Sequence, residues 1–206
     1  MTSDLKARTL VSFIQSLDDF TILDDIDGGY EHMGATIADA ILQAGTNYAT
    51  VVKPRVNAIL NTYPDARTTS AFRDLLEGVG AKEVLSWTDD EKPNRVMALT
   101  EFLLAEGIDS EEDLRTWISS DENLERIQVV HGVGPKTADY LRILVGIQTA
   151  AVDRYVYRLI EEAGLGTLSY EEAREILNTA ADSLEVERAV FDQSIWKYMS
   201  QRERAE

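Results

Sequence analysis

The chain has 206 residues, 44% of them hydrophobic, enough to bury one or two compact cores. It contains no cysteine, which excludes disulfides, zinc–thiolate sites and any cysteine-held iron–sulfur cluster. Its 37 acidic residues against 20 basic ones give a net charge of −17, which taken alone argues against a polyanionic partner.

No apolar run approaches the roughly 20 residues needed to span a bilayer. Met1-Thr2-Ser3-Asp4 does not open a signal peptide, so a soluble, cytoplasmic monomer with no membrane contact is expected. The periodicities are helical almost throughout. Asp4 to Leu17 reads as a first helix, and the acidic, glycine-containing Asp18 to Tyr30 as a loop. Met33 to Ala44 places Met33, Ile37, Ala40, Ile41 and Ala44 on one apolar face. Gly45-Thr46-Asn47 breaks that pattern, and a helix follows to about Thr62, with Thr50 as its cap and Pro54 in its first turn. Thr69 reads as the cap of Ala71 to Glu77, followed by a Gly78-Val79-Gly80 turn and a short Lys82 to Trp87 segment. Pro93 opens Asn94 to Ala105, and Ser110 begins Glu111 to Ile118.

Ser119-Ser120-Asp121-Glu122 offers a capping box for a helix ending at Val130. Val130-His131-Gly132-Val133-Gly134-Pro135-Lys136 then reads as a glycine hairpin feeding a new helix, Pro135 to Val145. Gly132 and Gly134 are expected to take backbone angles and close approaches that side chains would block. Pro135 stands where the first helical residue lacks a bonded N–H anyway. Exposed amides at a positive helix end make an anion site, with Lys136 in its first turn. Asp153 to Ala163 is the next helix, and Ser169-Tyr170-Glu171-Glu172 is a second capping box. It starts a helix burying Ala173, Ile176, Leu177, Ala180 and Leu184. A last helix, Glu185 to Met199, is expected to fray over 201–206. Roughly ten helices with short connections make an all-α protein.

The distribution of charge points the other way from the total. From Gly132 to Arg158 the bases Lys136, Arg142, Arg154 and Arg158 face only two acids, Asp139 and Asp153. Ala40 to Pro64 has no acid and carries Lys53 and Arg55. Two acid-poor windows suggest a face kept for a polyanion. A helix–Gly-Val-Gly–helix unit is a helix-hairpin-helix, which grips a backbone phosphate without reading sequence.

Gly132-Val133-Gly134-Pro135-Lys136-Thr137-Ala138, followed by Ala151-Val152-Asp153-Arg154-Tyr155-Val156-Tyr157-Arg158, resembles the helix-hairpin-helix DNA glycosylases of the endonuclease III type. In that family a lysine just after the hairpin and an aspartate in a Val-Asp pair form the active site. Lys136 and Asp153 match both, 17 positions apart. Gly45, Thr46 and Asn47 sit where the family has a DNA-facing turn. The resemblance implies a base-excision repair glycosylase with abasic-site lyase activity, acting on double-stranded or locally unpaired DNA. Lys136 and Asp153 would be catalytic. Gly132, Val133, Gly134, Thr137, Gly45, Thr46, Asn47 and Arg154 would contact DNA, with no metal and no cofactor. It also implies a two-lobed fold: a lobe at 30–145 ending in the helix-hairpin-helix (121–145), and a second from 1–29 plus 146–206. Lys136 and Asp153 would then face each other across the cleft between lobes.

The chemistry supports the pair independently of the family. Cutting an N-glycosidic bond builds positive charge on the sugar, which a fixed carboxylate stabilises. An amine attacking C1′ must be unprotonated, and a helix N-terminus disfavours an added positive charge. A lysine beside a hairpin can also be only a phosphate contact, and an aspartate at a helix start only a cap. The alternative function is therefore a non-catalytic helix-hairpin-helix DNA-binding protein. The departures from the family pattern are the missing four-cysteine cluster, Gly45 in place of a gap-filling glutamine, Tyr155 in place of a histidine, and His131 in place of a proline. His32, His131 and the three tryptophans are read as packing or surface residues.

Overall fold

The computed structural model describes residues 2–24 and 29–205, all-α with no β-strand among them. No described helix is long and apolar enough to cross a membrane. The chain divides into two units, Gly28–Ile147 and Met1–Asp27 with Gln148–Glu206. The loop expected over Asp18 to Tyr30 is non-helical at 18–24 and 29–30, and its residues 25–28 lie outside the described ones.

The Gly28–Ile147 unit is built around α2 (Met33–Leu42), whose residues are all buried rather than only one face. Small residues on every side of it allow this. At Gly34 an added Cβ would lie 2.7 Å from the Phe72 ring, so that approach requires glycine. His32 caps α2, its Nδ1 accepting from the Ala35 amide at 3.1 Å. Against α2 lie α3 (Lys53–Thr62), α4 (Thr69–Leu75), α6 (Glu91–Ala105) and α9 (Pro135–Leu144). α5 (Ala81–Val84), α7 (Glu111–Ile118) and α8 (Asp121–Arg126) complete the unit.

Several ends differ from the sequence expectation. The segment after the Gly45 turn begins as a π-helical turn, Tyr48–Val52, capped by Asn47 rather than Thr50. The Asn47 Oδ1 accepts the Thr50 amide at 3.0 Å. Thr68, not Thr69, caps α4, because its hydroxyl faces the Ala71 amide at 3.1 Å. Ser120 makes no capping bond to α8, so the expected box there is absent. A 3-10 turn, Ile127–Val129, carries α8 into the hairpin.

The other unit packs α1 (Ser3–Gln15) on α11 (Tyr170–Ser183), with α12 (Arg188–Ala205) on α10 (Arg154–Glu162) and α11. Ser169 and Glu172 form the expected capping box. α12 runs as a helix to Ala205, where 201–206 was expected to fray, tied by Arg202 to Glu162 at 2.8 Å, and residue 206 lies outside the described ones. Leu10, Phe191, Ile195 and Met199 are fully buried in this core.

Candidate active site

The hairpin folds as its residues dictate. Val130 and Val133 are buried anchors, and the Val133 amide closes the turn on the Val130 carbonyl at 3.0 Å. Gly132 sits at φ +90°, which calls for glycine, and a Cβ there would come within 2.5 Å of Arg95 Cδ, so the Arg95 side chain would have to move as well. Gly134 departs from the expectation. It is extended, at φ −101°, and a Cβ there meets nothing within 4 Å. Gly134 is the N-cap of α9, with no side-chain cap, and Pro135 is its first residue. Thr137 is buried.

Lys136 follows Pro135 in the first turn of α9 and is half-buried. Its Nζ donates to Gln43 Oε1 at 2.8 Å. Gln43 is the C-cap of α2. One turn earlier on α2 lies Asp39, fully buried, whose Oδ2 accepts from the hydroxyls of Tyr30 at 2.6 Å, Tyr48 at 3.1 Å and Tyr140 at 3.3 Å. Burial, then the Asp39 charge, holds all three tyrosines in their protonated form, with Tyr48 pushed up to about 12 and Tyr30 and Tyr140 also raised well above the ordinary range. Lys92 of α6 is also buried, and its Nζ donates to the carbonyls of Ile41 and Ala44 at 2.7 Å each. Burial, then the neighbouring Arg95 charge, pushes the Lys92 amine down to about 8.

The other unit places Asp153 as the N-cap of α10. Its Oδ1 accepts the amides of Tyr155 at 2.8 Å and Val156 at 3.1 Å. Arg154 is exposed, with its guanidinium on Glu203 Oε2 at 3.0 Å and on the Tyr155 hydroxyl at 2.9 Å. Tyr155 is half-buried.

The expected DNA-facing turn holds Gly45 at φ +71° with open space around its Cβ position. Thr46 Oγ1 donates to the Ala44 carbonyl at 3.4 Å, and Asn47 spends its side-chain oxygen on the cap already described. The acid-poor windows do not leave their arginines unpaired. Arg142 is buried against Asp139 and Asp121, Arg158 pairs with Glu162, and Arg55 bonds the Val51 and Ser86 carbonyls beneath Trp87. Lys136 differs from the ion-paired Arg142, Arg154 and Arg158 in donating to a neutral side-chain amide.

Sequence reasoning missed Gln43, Asp39, Lys92 and Arg95. The one available signal was a set of polar side chains inside or beside otherwise apolar helices. Among the described residues, no cluster of three or more metal-ligating side chains occurs. A four-thiolate cluster of the endonuclease III type has no ligands in a chain without cysteine, and Phe191, Ile195 and Met199 close the C-terminal helices by apolar contact.

A family model described as Domain of unknown function (DUF8548) matches residues 15–200. The chain belongs to that family. No curated protein matches it in sequence. Among solved structures, the 3-methyladenine DNA glycosylase of H. pylori, bound to 1,N6-ethenoadenine, is similar with a TM-score of 0.63 at 15% identity, over 98% of this chain and 99% of that one. An endonuclease III trapped in a covalent intermediate with DNA gives 0.55 at 17% identity, over 93% of this chain and 85% of that one. The 8-oxoguanine DNA glycosylase of Thermotoga maritima gives 0.54 at 17%, over 94% and 86%. At these identities the likeness is one of fold. The DUF8548 chain has the all-α fold of the helix-hairpin-helix DNA glycosylases.

Proposed function

We propose that the protein is a DNA glycosylase of base-excision repair with abasic-site lyase activity, Lys136 acting as nucleophile and Asp153 as the stabilising carboxylate. The observation that carries this reading is Lys136 itself. In a chain with the glycosylase fold, it directly follows the hairpin of a helix-hairpin-helix, in the first turn of the second helix, and presents an amine bonded to a neutral acceptor.

The neutral amine attacks C1′, the C1′–N bond breaks, and its electron pair leaves with the base. Opening of the sugar ring gives a Schiff base to Lys136. Loss of a C2′ proton then expels the 3′ phosphate by β-elimination. Asp153 holds both capping amides on Oδ1, and Oδ2 is the oxygen we assign to the developing sugar cation. The uncapped amides at the start of α9 offer a phosphate site in the manner of other helix N-termini. In the other unit Arg154 is a separate DNA contact, since an exposed ion pair such as Arg154–Glu203 is worth only about 0–1 kcal/mol and yields readily to a phosphate. DNA is the partner, duplex or locally unpaired, and Gly45, Thr46 and Asn47 lie on the turn that would meet it.

Duplexes carrying oxidised, deaminated and alkylated bases, incubated at low and at molar salt, test the function. The native protein should release at least one base. Asp153→Asn keeps a good N-cap, so it should fold normally yet lose on the order of a hundredfold in rate. Duplex binding with no base released from any substrate would instead identify a non-catalytic hairpin protein.

A further inference from the structure

We propose that Gln43 positions the Lys136 amine, and that its being a neutral amide keeps that amine available as a nucleophile; this rests on the lyase reading above. Gln43 Oε1 accepts from Lys136 Nζ at 2.8 Å. One turn away on each helix, Asp39 accepts from Tyr140 at 3.3 Å. α2 and α9 therefore meet in two polar rungs, Gln43–Lys136 and Asp39–Tyr140, and the first comes from the end of the most buried helix in the unit.

Two further contacts fix the rung. The Gln43 backbone N–H donates to the Asp39 carbonyl at 3.2 Å, and Lys92 holds the carbonyls of Ile41 and Ala44 on either side of it. The Gln43 Nε2 atom is buried with no partner. Turning the side-chain amide over would set its N–H group against the Lys136 N–H groups, so the oxygen has one productive direction. An amide oxygen accepts from an ammonium and from a neutral amine alike, and favours the charged form far less than a full negative charge does. A carboxylate in the same place would favour the charged form.

Charged groups on the elements around α9 are otherwise engaged. Asp39 holds tyrosines, Asp139 and Asp121 pair with Arg142, Arg126 pairs with Glu106, and Lys92 bonds carbonyls. Glu122 and Glu125 of α8 are exposed. Among these groups the Lys92 charge acts on that of Lys136, so the profiles are also compared in a Lys92→Met background, where a shift in Lys136 behaviour reports on Gln43.

The test is the pH dependence of borohydride-trapped adduct on an abasic duplex, measured for the native protein, Gln43→Glu and Gln43→Asn. Gln43→Glu should move the acidic limb of the profile upward by about one pH unit or more. Gln43→Asn withdraws the oxygen by one methylene and should lower the plateau rate about tenfold or more with no pH shift. A native-like profile in Gln43→Glu, or a native plateau rate in Gln43→Asn, overturns the proposal while leaving the lyase reading intact. Absence of adduct from the native protein overturns the lyase reading and this inference with it.

Discussion

Gly132 and Gly134 stand two positions apart in the hairpin and meet different constraints. Gly132 takes φ +90° beneath the Arg95 side chain, whereas Gly134 is extended in open space. Gly132→Ala should therefore destabilise the fold by about 1–2 kcal/mol in urea unfolding, the strain of a side chain in left-handed backbone. Gly134→Ser should leave stability within about 0.5 kcal/mol or raise it, because serine is the better N-cap. The same hydroxyl would take up the first-turn amides of α9, so under the proposed function it should weaken binding to an abasic duplex. Unchanged affinity in Gly134→Ser would argue against those amides as the phosphate site. Lys136 belongs to the same scale: the arginines of its window are ion-paired and it is bonded to a neutral oxygen.

At the scale of elements, the junction of α2, α6 and α9 is a buried polar cluster in an otherwise apolar core, and it gives the unit a pH signature. Unfolded lysine holds its proton to about pH 10.4. Folded Lys92 releases it near pH 8, so the unfolded state binds more protons between those values. Stability must then rise with pH above about 8. The tyrosines work in the opposite sense. Unfolded tyrosine loses its proton near pH 10, while Tyr30, Tyr48 and Tyr140 keep theirs to higher pH. Above that point stability must fall. Urea unfolding across this range should show a rise and then a decline, and Lys92→Met should remove the rise while keeping the decline. A flat response in the native protein would contradict the burial of both groups.

Across the whole molecule, what was legible in the sequence is what is encoded locally. The glycine–proline–lysine run, the Ser169–Glu172 capping box and the aspartate at the start of α10 each act on their own neighbours, and each is found where the residues place it. The cap at Asn47 falls three residues, and that at Thr68 one residue, from the expected place. A π-helical turn carries no simple period, and in Thr68-Thr69-Ser70 three hydroxyls compete for one role. Gln43, Asp39 and Lys92 were not legible, because their partners are helices distant in sequence. Gln43 and Lys136 are separated by 93 residues, and Lys92 and Ile41 by 51. The acid-poor windows showed charge along the chain and not in space: within a chain of net charge −17, acids outside them pair with Arg142 and Arg154 in the fold.

The proposed mechanism stands on Lys136 bonding covalently to DNA. Incubating the native protein and Lys136→Ala with an abasic-site duplex and borohydride, then mapping the adduct by peptide mass, tests it most directly. The mechanism predicts a stable adduct on the peptide containing Lys136 and none from Lys136→Ala. An adduct of equal yield in Lys136→Ala, carried for instance by Lys92, or no adduct from the native protein, would contradict it.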